Sequence, residues 1–262
     1  MSEQKQTISI VIAPECTNSE TAQRIQSIFC TKAPQNSELT LRLDTEGLAL
    51  VSDGQVLMGD FTRMLPRLKS GLSKELLVRA AKIKDPAESL TAVDATAGLG
   101  EDSLLLAAAG FHVTLYERNP IIYELLLDTV TRASNIPDLA DIVARMQVVH
   151  GDSMDAMKQM ATAPDVILLD PMFPERQKSA LVKKKLQMIQ KLEFPCLDES
   201  ELILSAMGAN PKKLIVKRPP KGPYLAGLKP DFSIAGKAVR FDGFASPYGR
   251  IPKFQKIIET NT

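Results

Sequence analysis

Residues that hold metals and disulfide bonds are scarce in this sequence. Cysteine occurs only at Cys16, Cys30 and Cys196, with no C-x-x-C pair, and histidine only at His112 and His150. Scattered cysteines argue against a disulfide framework or a zinc site and suit a reducing cytosol. Two histidines exclude a His-rich metal site. We therefore predict no bound metal.

The sequence also lacks a long apolar run. The uncharged stretch 103–116 is too short to span a bilayer and contains Gly110 and His112. The apolar stretch 7–14 lies between Glu3 and Glu15 and favours a first strand over a signal peptide. These absences predict a soluble, cytoplasmic protein with no membrane partner.

The charge is balanced overall but unevenly distributed. The 262 residues are 44% hydrophobic and 24% charged with a net charge of +1, which is ordinary globular composition. Segment 62–84 nevertheless has seven basic residues against the single acid Glu75, and segments 176–191 and 211–222 are basic with no acid. Such runs usually form solvent-exposed faces, and the more specific interpretation is that they bind an anionic partner.

The first part of the chain reads as a small α+β unit. Segments 8–12, 39–43, 48–51 and 55–58 have strand character, and segment 19–29 is typical of a short helix. We predict a β-rich N-terminal subdomain over 1–61 and a second domain over 62–262. The basic segment 62–84 connects them as a helix, with Ser73 as a possible N-cap.

From residue 90 the pattern alternates strand and helix, which predicts an α/β fold with a doubly wound, mostly parallel sheet. An antiparallel pair at 238–241 and 253–258 is expected at its edge. The predicted elements are strands at 91–94, 112–116, 146–149, 166–169 and 213–216, and helices at 102–109, 120–132, 138–145, 153–160 and 179–191.

A glycine-containing loop follows the first of these strands. Gly98 and Gly100 would let a ligand approach the backbone, and Glu117, after the next strand, can accept hydrogen bonds from ribose hydroxyls. Acidic Glu101 and Asp102 at the helix start would repel a pyrophosphate. They suit S-adenosylmethionine, which carries a sulfonium and an ammonium and leaves as S-adenosylhomocysteine.

Two further strand ends offer cofactor contacts. Asp94 is a plausible partner for the methionyl ammonium. Asp152 stands where an acceptor for the adenine amino group is expected, with Ser153 beside it. Asp152 can also cap the following helix, and the two roles are compatible.

The motif Asp-Pro-Met-Phe-Pro at 170–174 ends the apolar strand 166–169. Asp170 and the Pro171 carbonyl can accept both N–H bonds of an amine, and Phe173 can stack on a base. Closing the strand with a turn is the bland alternative.

These motifs, together with Glu-Arg-Asn-Pro at 117–120 and Gln-Lys-Ser-Ala-Leu-Val-Lys-Lys at 177–184, resemble the ribosomal RNA small subunit methyltransferase J family. The resemblance covers about residues 62–242. It implies a Rossmann-like class I methyltransferase that methylates the exocyclic N2 of one guanosine near the 3′ end of 16S rRNA, free or within the 30S subunit. Carried over by position, it implies cofactor contacts at Glu101, Asp102, Glu117, Arg118, Asp152, Ser153 and Asp170. Glu101 and Asp152 depart from the family pattern, which has Arg and Ser there.

The basic segments near the motif predict an RNA-binding rim. Its expected members are Lys178, Lys183, Lys184, Lys185, Lys217 and Arg218. Three alternatives stay open: a methyltransferase acting on DNA adenine or protein glutamine, a non-catalytic RNA-binding module, and a nicotinamide oxidoreductase.

Overall fold

A four-stranded sheet forms the N-terminal part of the protein. The computed structural model describes residues 8–29, 39–84, 89–171, 192 and 198–252. The strands lie in chain order, with β1 parallel to β2 and the others antiparallel. They are β1 (Ser9–Ile12), β2 (Thr40–Asp44), β3 (Gly47–Ser52) and β4 (Gln55–Leu57). Helix α1 (Glu20–Ile28) joins β1 to β2, and the Ser19 side chain caps it by accepting from the Ala22 N–H.

A seven-stranded sheet carries the rest of the fold, in the order β10-β11-β9-β8-β5-β6-β7. Its strands are β5 (Leu90–Asp94), β6 (Phe111–Glu117), β7 (Met146–His150), β8 (Val166–Leu169), β9 (Lys213–Arg218), β10 (Phe232–Ala235) and β11 (Arg240–Ala245). Strands β5 to β9 run parallel to one another, whereas β11 is antiparallel to both β9 and β10. The chain winds from β5 to β7 on one side and continues from β8 on the other. This reversal makes a topological switch point between β5 and β8, where open α/β sheets bind ligands.

Helices cover both faces of this sheet. They are α2 (Leu65–Ser70), α3 (Leu76–Ala81), α4 (Glu101–Ala108), α5 (Pro120–Ser134), α6 (Pro137–Val143), α7 (Ser153–Lys158) and α8 (Glu199–Gly208). Alternate strand residues point to opposite faces. Leu168 accordingly packs in a core cluster with α4, whereas Ile167 packs in another with α8. The predicted doubly wound α/β fold is confirmed. None of the described helices has the length and apolarity needed to cross a bilayer.

The basic segment 62–84 differs from the single helix predicted for it. It forms two short α-helices with 3-10 turns before each, and helix α3 spans only Leu76–Ala81. Gly71 ends α2, and Glu75, not Ser73, occupies the N-cap position of α3. Helix α3 forms because Leu77, Ala80 and Ala81 are buried against the sheet.

The antiparallel edge exists, but its predicted pairing was wrong. Strand β11 pairs with β10, a strand that the sequence analysis missed. Gly243 has no side chain, which makes room for the Phe232 ring. A Cβ atom on Gly243 would lie within 2.1 Å of that ring. The predicted partner strand 253–258 and the predicted helix 179–191 lie outside the described residues.

The two sheets meet along helix α5 through an ion-pair network that we call the seam, made of Asp128, Arg132, Leu48 and Gly59. Asp128 Oδ2 accepts from the Leu48 N–H at 3.0 Å and from Arg132 Nε at 2.7 Å. Arg132 Nη2 donates to the Gly59 carbonyl at 2.6 Å. The seam thus joins α5 to both ends of the β3–β4 hairpin region.

Candidate active site

The candidate residues follow the carboxyl ends of neighbouring parallel strands. Asp94 ends β5, Glu117 ends β6 and Lys217 lies near the end of β9. Asp152 follows β7, and Asp170 follows β8. Because parallel strands end at one edge of the sheet, these side chains gather around the switch point. Among the described residues, no cluster of three or more His, Cys, Asp or Glu could hold a metal ion.

The loop between β5 and α4 is fixed at one glycine and open at the other. Gly100 has φ +78, and a Cβ atom there would lie 2.6 Å from Cδ1 of the buried Leu126. Gly98 also has positive φ, but a Cβ atom there would meet no atom of the described residues within 4 Å. The backbone at Gly98 therefore borders open space, as close approach of a ligand requires.

Glu117 ties this loop to the end of β6. Its buried carboxylate accepts from the Gly98 N–H at 3.1 Å and from the Asn119 N–H at 2.7 Å. A carboxylate has about four acceptor positions, so these bonds orient Glu117 and are compatible with ribose hydroxyls as further donors. The side chain of the next residue, Arg118, is exposed.

Asp94 is buried beneath the loop. Ser103 Oγ donates to Asp94 Oδ2 at 2.6 Å, and the Thr96 N–H donates to Oδ1 at 3.1 Å. Burial raises the pKa of Asp94 to about 7, although both hydrogen bonds oppose the rise. One carboxylate oxygen thus holds the loop and the other holds helix α4, and the predicted contact with a methionyl ammonium stays a prediction.

Asp152 caps helix α7, as one of its two predicted roles requires. Its Oδ1 accepts from the Met154 N–H at 2.8 Å, and Ser153 is buried at the first helical position. Asp152 itself is partly exposed at the sheet edge. This placement leaves the second role, acceptance from an adenine amino group, compatible with the cap.

Asp170 contacts the loop between β5 and α4 and the Lys217 side chain of β9. Its N–H donates to Thr96 Oγ1 at 2.6 Å, which joins the two motifs directly. Asp170 Oδ2 lies 2.8 Å from Lys217 Nζ, which lies 2.5 Å from Asp102 Oδ2. We call Asp102, Lys217 and Asp170 the Lys217 bridge. Glu101, the neighbour of Asp102, is exposed in the first turn of α4.

Charges in the Lys217 bridge act on one another. The pKa of Asp170 is raised on balance, because desolvation raises it and the Asp102 carboxylate adds to the rise, while the Lys217 ammonium opposes it. Burial alone would lower the pKa of Lys217, but Asp170 and Asp102 outweigh it and raise the pKa. Lys217 is therefore a permanent ammonium shared by two acids.

The structure does not favour the predicted RNA contacts at Lys217 and Arg218. Lys217 faces two carboxylates, and buried Arg218 donates from Nε to the Pro223 carbonyl at 2.8 Å. Neighbouring residues of a strand point to opposite faces of the sheet, so Lys217 and Arg218 cannot form one basic patch. The alternation of strand side chains could have excluded that prediction from the sequence. Pro171 is buried beside Asp170. Phe173, Lys178, Lys183, Lys184 and Lys185 lie outside the described residues.

The residues present fit S-adenosylmethionine. The open backbone at Gly98 lies next to the Glu117 carboxylate, as a ribose site needs. Among the residues that the structure describes, Asp102 and Asp170 form ion pairs with one shared cation, Lys217, so this described part of the site keeps an excess of negative charge. That excess suits a cationic cofactor and disfavours a pyrophosphate.

Comparison with known proteins supports this interpretation. The family model described as "Putative SAM-dependent methyltransferase" matches residues 24–246. A protein of Marinobacter nauticus named ribosomal RNA small subunit methyltransferase J is 40% identical over 223 residues, covering 82% of this chain and 80% of its own. The protein of the same name from Thioalkalivibrio sulfidiphilus is 41% identical over 217 residues, covering 79% and 85%.

A solved structure agrees with the fold as well. A SAM-dependent methyltransferase from Neisseria gonorrhoeae superposes with a TM-score of 0.70 at 29% identity, covering 92% of this chain and 96% of that one. The predicted class I methyltransferase fold and the predicted cofactor are thereby confirmed. The chain belongs to the ribosomal RNA small subunit methyltransferase J family of S-adenosylmethionine-dependent enzymes.

Proposed function

We propose that this protein transfers a methyl group from S-adenosylmethionine to the exocyclic N2 of a guanosine near the 3′ end of 16S rRNA. The names of its relatives support small-subunit ribosomal RNA as the substrate. The observation that carries the proposal is the hydrogen bond from the Asp170 N–H to Thr96 Oγ1. It puts the candidate amine-binding motif directly beside the cofactor loop.

A guanine N2 amine needs orientation because its lone pair is delocalised into the ring. Asp170 and the Pro171 carbonyl accept its two N–H bonds, and proline restricts the backbone so that both acceptors converge. The cofactor supplies an electrophilic methyl group on a positively charged sulfur. Alignment of the amine with that group contributes much of the rate. We also propose, on the basis of the sequence motif, that the guanine base stacks on Phe173.

The cofactor would be held around the loop between β5 and α4. Gly98 offers open backbone, Glu117 accepts from the ribose hydroxyls, and Asp152 accepts from the adenine amine. The full proposed set is Asp94, Gly98, Gly100, Glu101, Asp102, Glu117, Arg118, Asp152, Ser153 and Asp170.

We also propose that the chain divides between residues 61 and 62 into an N-terminal unit and a methyltransferase domain. We propose a cytoplasmic location for the protein. The four-stranded sheet has its own hydrogen-bonded order and its own core cluster, which includes Leu41 and Leu50. That cluster is completed by Ile122 and Leu125 of α5, so we propose that the N-terminal unit docks on the methyltransferase domain through this helix.

The test is methyl transfer from labelled S-adenosylmethionine to undermethylated 30S subunits, free 16S rRNA, DNA and a glutamine-containing protein. We expect label in 30S subunits or 16S rRNA, and mass-spectrometric mapping should find N2-methylguanosine near the 3′ end. Label in DNA or protein alone would overturn the proposal. Methylation of the RNA at another base would keep the enzyme class and reject the proposed target.

A further inference from the structure

We propose that Lys217 is a positioning residue that holds the Asp170 carboxylate in one orientation, while Asp102 holds the lysine. This inference rests on the proposed function, because it assigns a partner to the residue that orients the amine. It also replaces the RNA-phosphate contact that the sequence predicts for Lys217.

Three separate elements fix the Lys217 bridge. Strands β8 and β9 are parallel with Leu169 opposite Val216, so the next step of the ladder sets Asp170 beside Lys217. Asp102 reaches the same ammonium from the first turn of α4. A lysine ammonium has three donors, and two of them are directed to these acids. Its position is therefore determined by contacts with residues of two separate chain segments.

The three side chains of the Lys217 bridge differ in how exposed they are to solvent. The side chain of Asp170 is 38% exposed, that of Lys217 is 24% exposed and that of Asp102 is 20% exposed. Asp170 is thus the member that opens onto the site. Because Oδ2 is turned to Lys217, we assign the other oxygen of Asp170 to the amine.

The two partners act on Asp170 in opposite senses. The Lys217 charge favours the ionised carboxylate, whereas the Asp102 charge disfavours it. Only the ionised form of Asp170 offers acceptors without a competing proton. Loss of Lys217 should therefore impair methyl transfer most at low pH, and loss of the Asp102 charge should extend activity to lower pH.

A phosphate contact would behave differently. Removal of a lysine that binds RNA phosphate weakens RNA binding and reduces its dependence on salt. Removal of a positioning residue lowers the rate of the chemical step and leaves the Kd for RNA unchanged. The two roles therefore separate in a rate-against-binding measurement.

The experiment measures single-turnover methyl transfer to undermethylated 30S subunits from about pH 5.5 to 8.5, with RNA binding measured alongside. The variants are Lys217→Met, Lys217→Arg, Asp102→Asn and Asp170→Asn, and the control is Lys229→Met, an exposed lysine away from the site. We expect Lys217→Met to move the acid limb of the profile upward by roughly 1–3 pH units. Lys217→Arg should move it less, and Asp102→Asn should move it downward.

The outcomes separate this inference from the proposed function. An unshifted limb in Lys217→Met with weakened RNA binding would overturn the positioning role in favour of a phosphate contact. Wild-type transfer by Asp170→Asn would instead contradict the proposed function at its site. If Lys217→Met does not fold, Asp102→Asn decides, because an upward or absent shift in that variant contradicts the proposal.

Discussion

The seam and the Lys217 bridge are both built from aspartate carboxylates and a basic side chain, but the two networks differ in charge balance and exposure. In the seam, Asp128 accepts from a backbone N–H and from Arg132, and Arg132 continues to the Gly59 carbonyl. The acid and the cation are matched one to one, and both reach backbone. In the Lys217 bridge, two acids share one ammonium, and Asp170 remains partly exposed.

This difference separates a structural network from one suited to chemistry. A buried ion pair with additional hydrogen bonds to backbone fixes the relation between chain segments. An unbalanced cluster at the edge of a sheet keeps an excess charge whose protonation responds to its neighbours, as at catalytic sites. We therefore expect changes in the seam to alter stability and changes at Asp170 to alter activity.

Asp170→Asn should produce the largest effect. It removes the anionic acceptor while keeping the shape of the side chain, so methyl transfer should fall by roughly 10²–10⁴-fold. One of the two competing acids is lost, and Lys217 keeps Asp102, so the free energy of unfolding should stay within about 1 kcal/mol of wild type. Single-turnover kinetics and urea unfolding measure both. A large loss of stability with near-normal methyl transfer would mean that the Lys217 bridge, like the seam, serves the fold and not the chemistry.

Asp128→Asn should have the opposite pattern of effects, lowering stability and leaving methyl transfer unchanged. Weakening the charge-assisted hydrogen bonds in the seam should lower the free energy of unfolding by about 1.5–3 kcal/mol. Methyl transfer per folded molecule should remain close to wild type. The matched control is Asp138→Asn, which disrupts the exposed pair with Lys69 and should change stability by about 1 kcal/mol or less. Equal losses in the two variants would mean that the seam contributes no more than a surface pair.

Gly100→Ala and Gly98→Ala compare the fixed and the open end of the cofactor loop. Both require a left-handed backbone, which costs about 1–2 kcal/mol for alanine. At Gly100 the methyl group also meets buried Leu126, which adds about 1–3 kcal/mol of overpacking. At Gly98 it meets no atom in the described part of the chain, so the effect should appear in the Kd for S-adenosylmethionine. Calorimetric titration and urea unfolding distinguish the two, and equal stability losses would contradict this view.

Local signals predicted much of the fold and part of the site. The Asp152 cap before α7 was predictable because capping depends on neighbouring residues, and the structure has it. The bridge through Lys217 was not readable, because it depends on the register of β8 with β9 and on the approach of α4. Strand β10 was missed for a similar reason, since Phe232 is accommodated by a glycine on another strand.

A pH dependence of stability should originate at Asp94. Burial raises its pKa from 3.8 to about 7 in the folded protein, so the folded state binds more protons than the unfolded chain between these values. The stability contributed by this group is therefore complete below about pH 4 and is lost as the pH rises through 7. Asp94→Asn removes the titration, so wild type should lose stability relative to this variant between pH 5 and pH 8. Urea unfolding of both proteins at several pH values measures the difference, in which the other titrating groups cancel. The exposed Asp141→Asn should run parallel to wild type, and a parallel course for Asp94→Asn as well would mean that Asp94 stays ionised throughout.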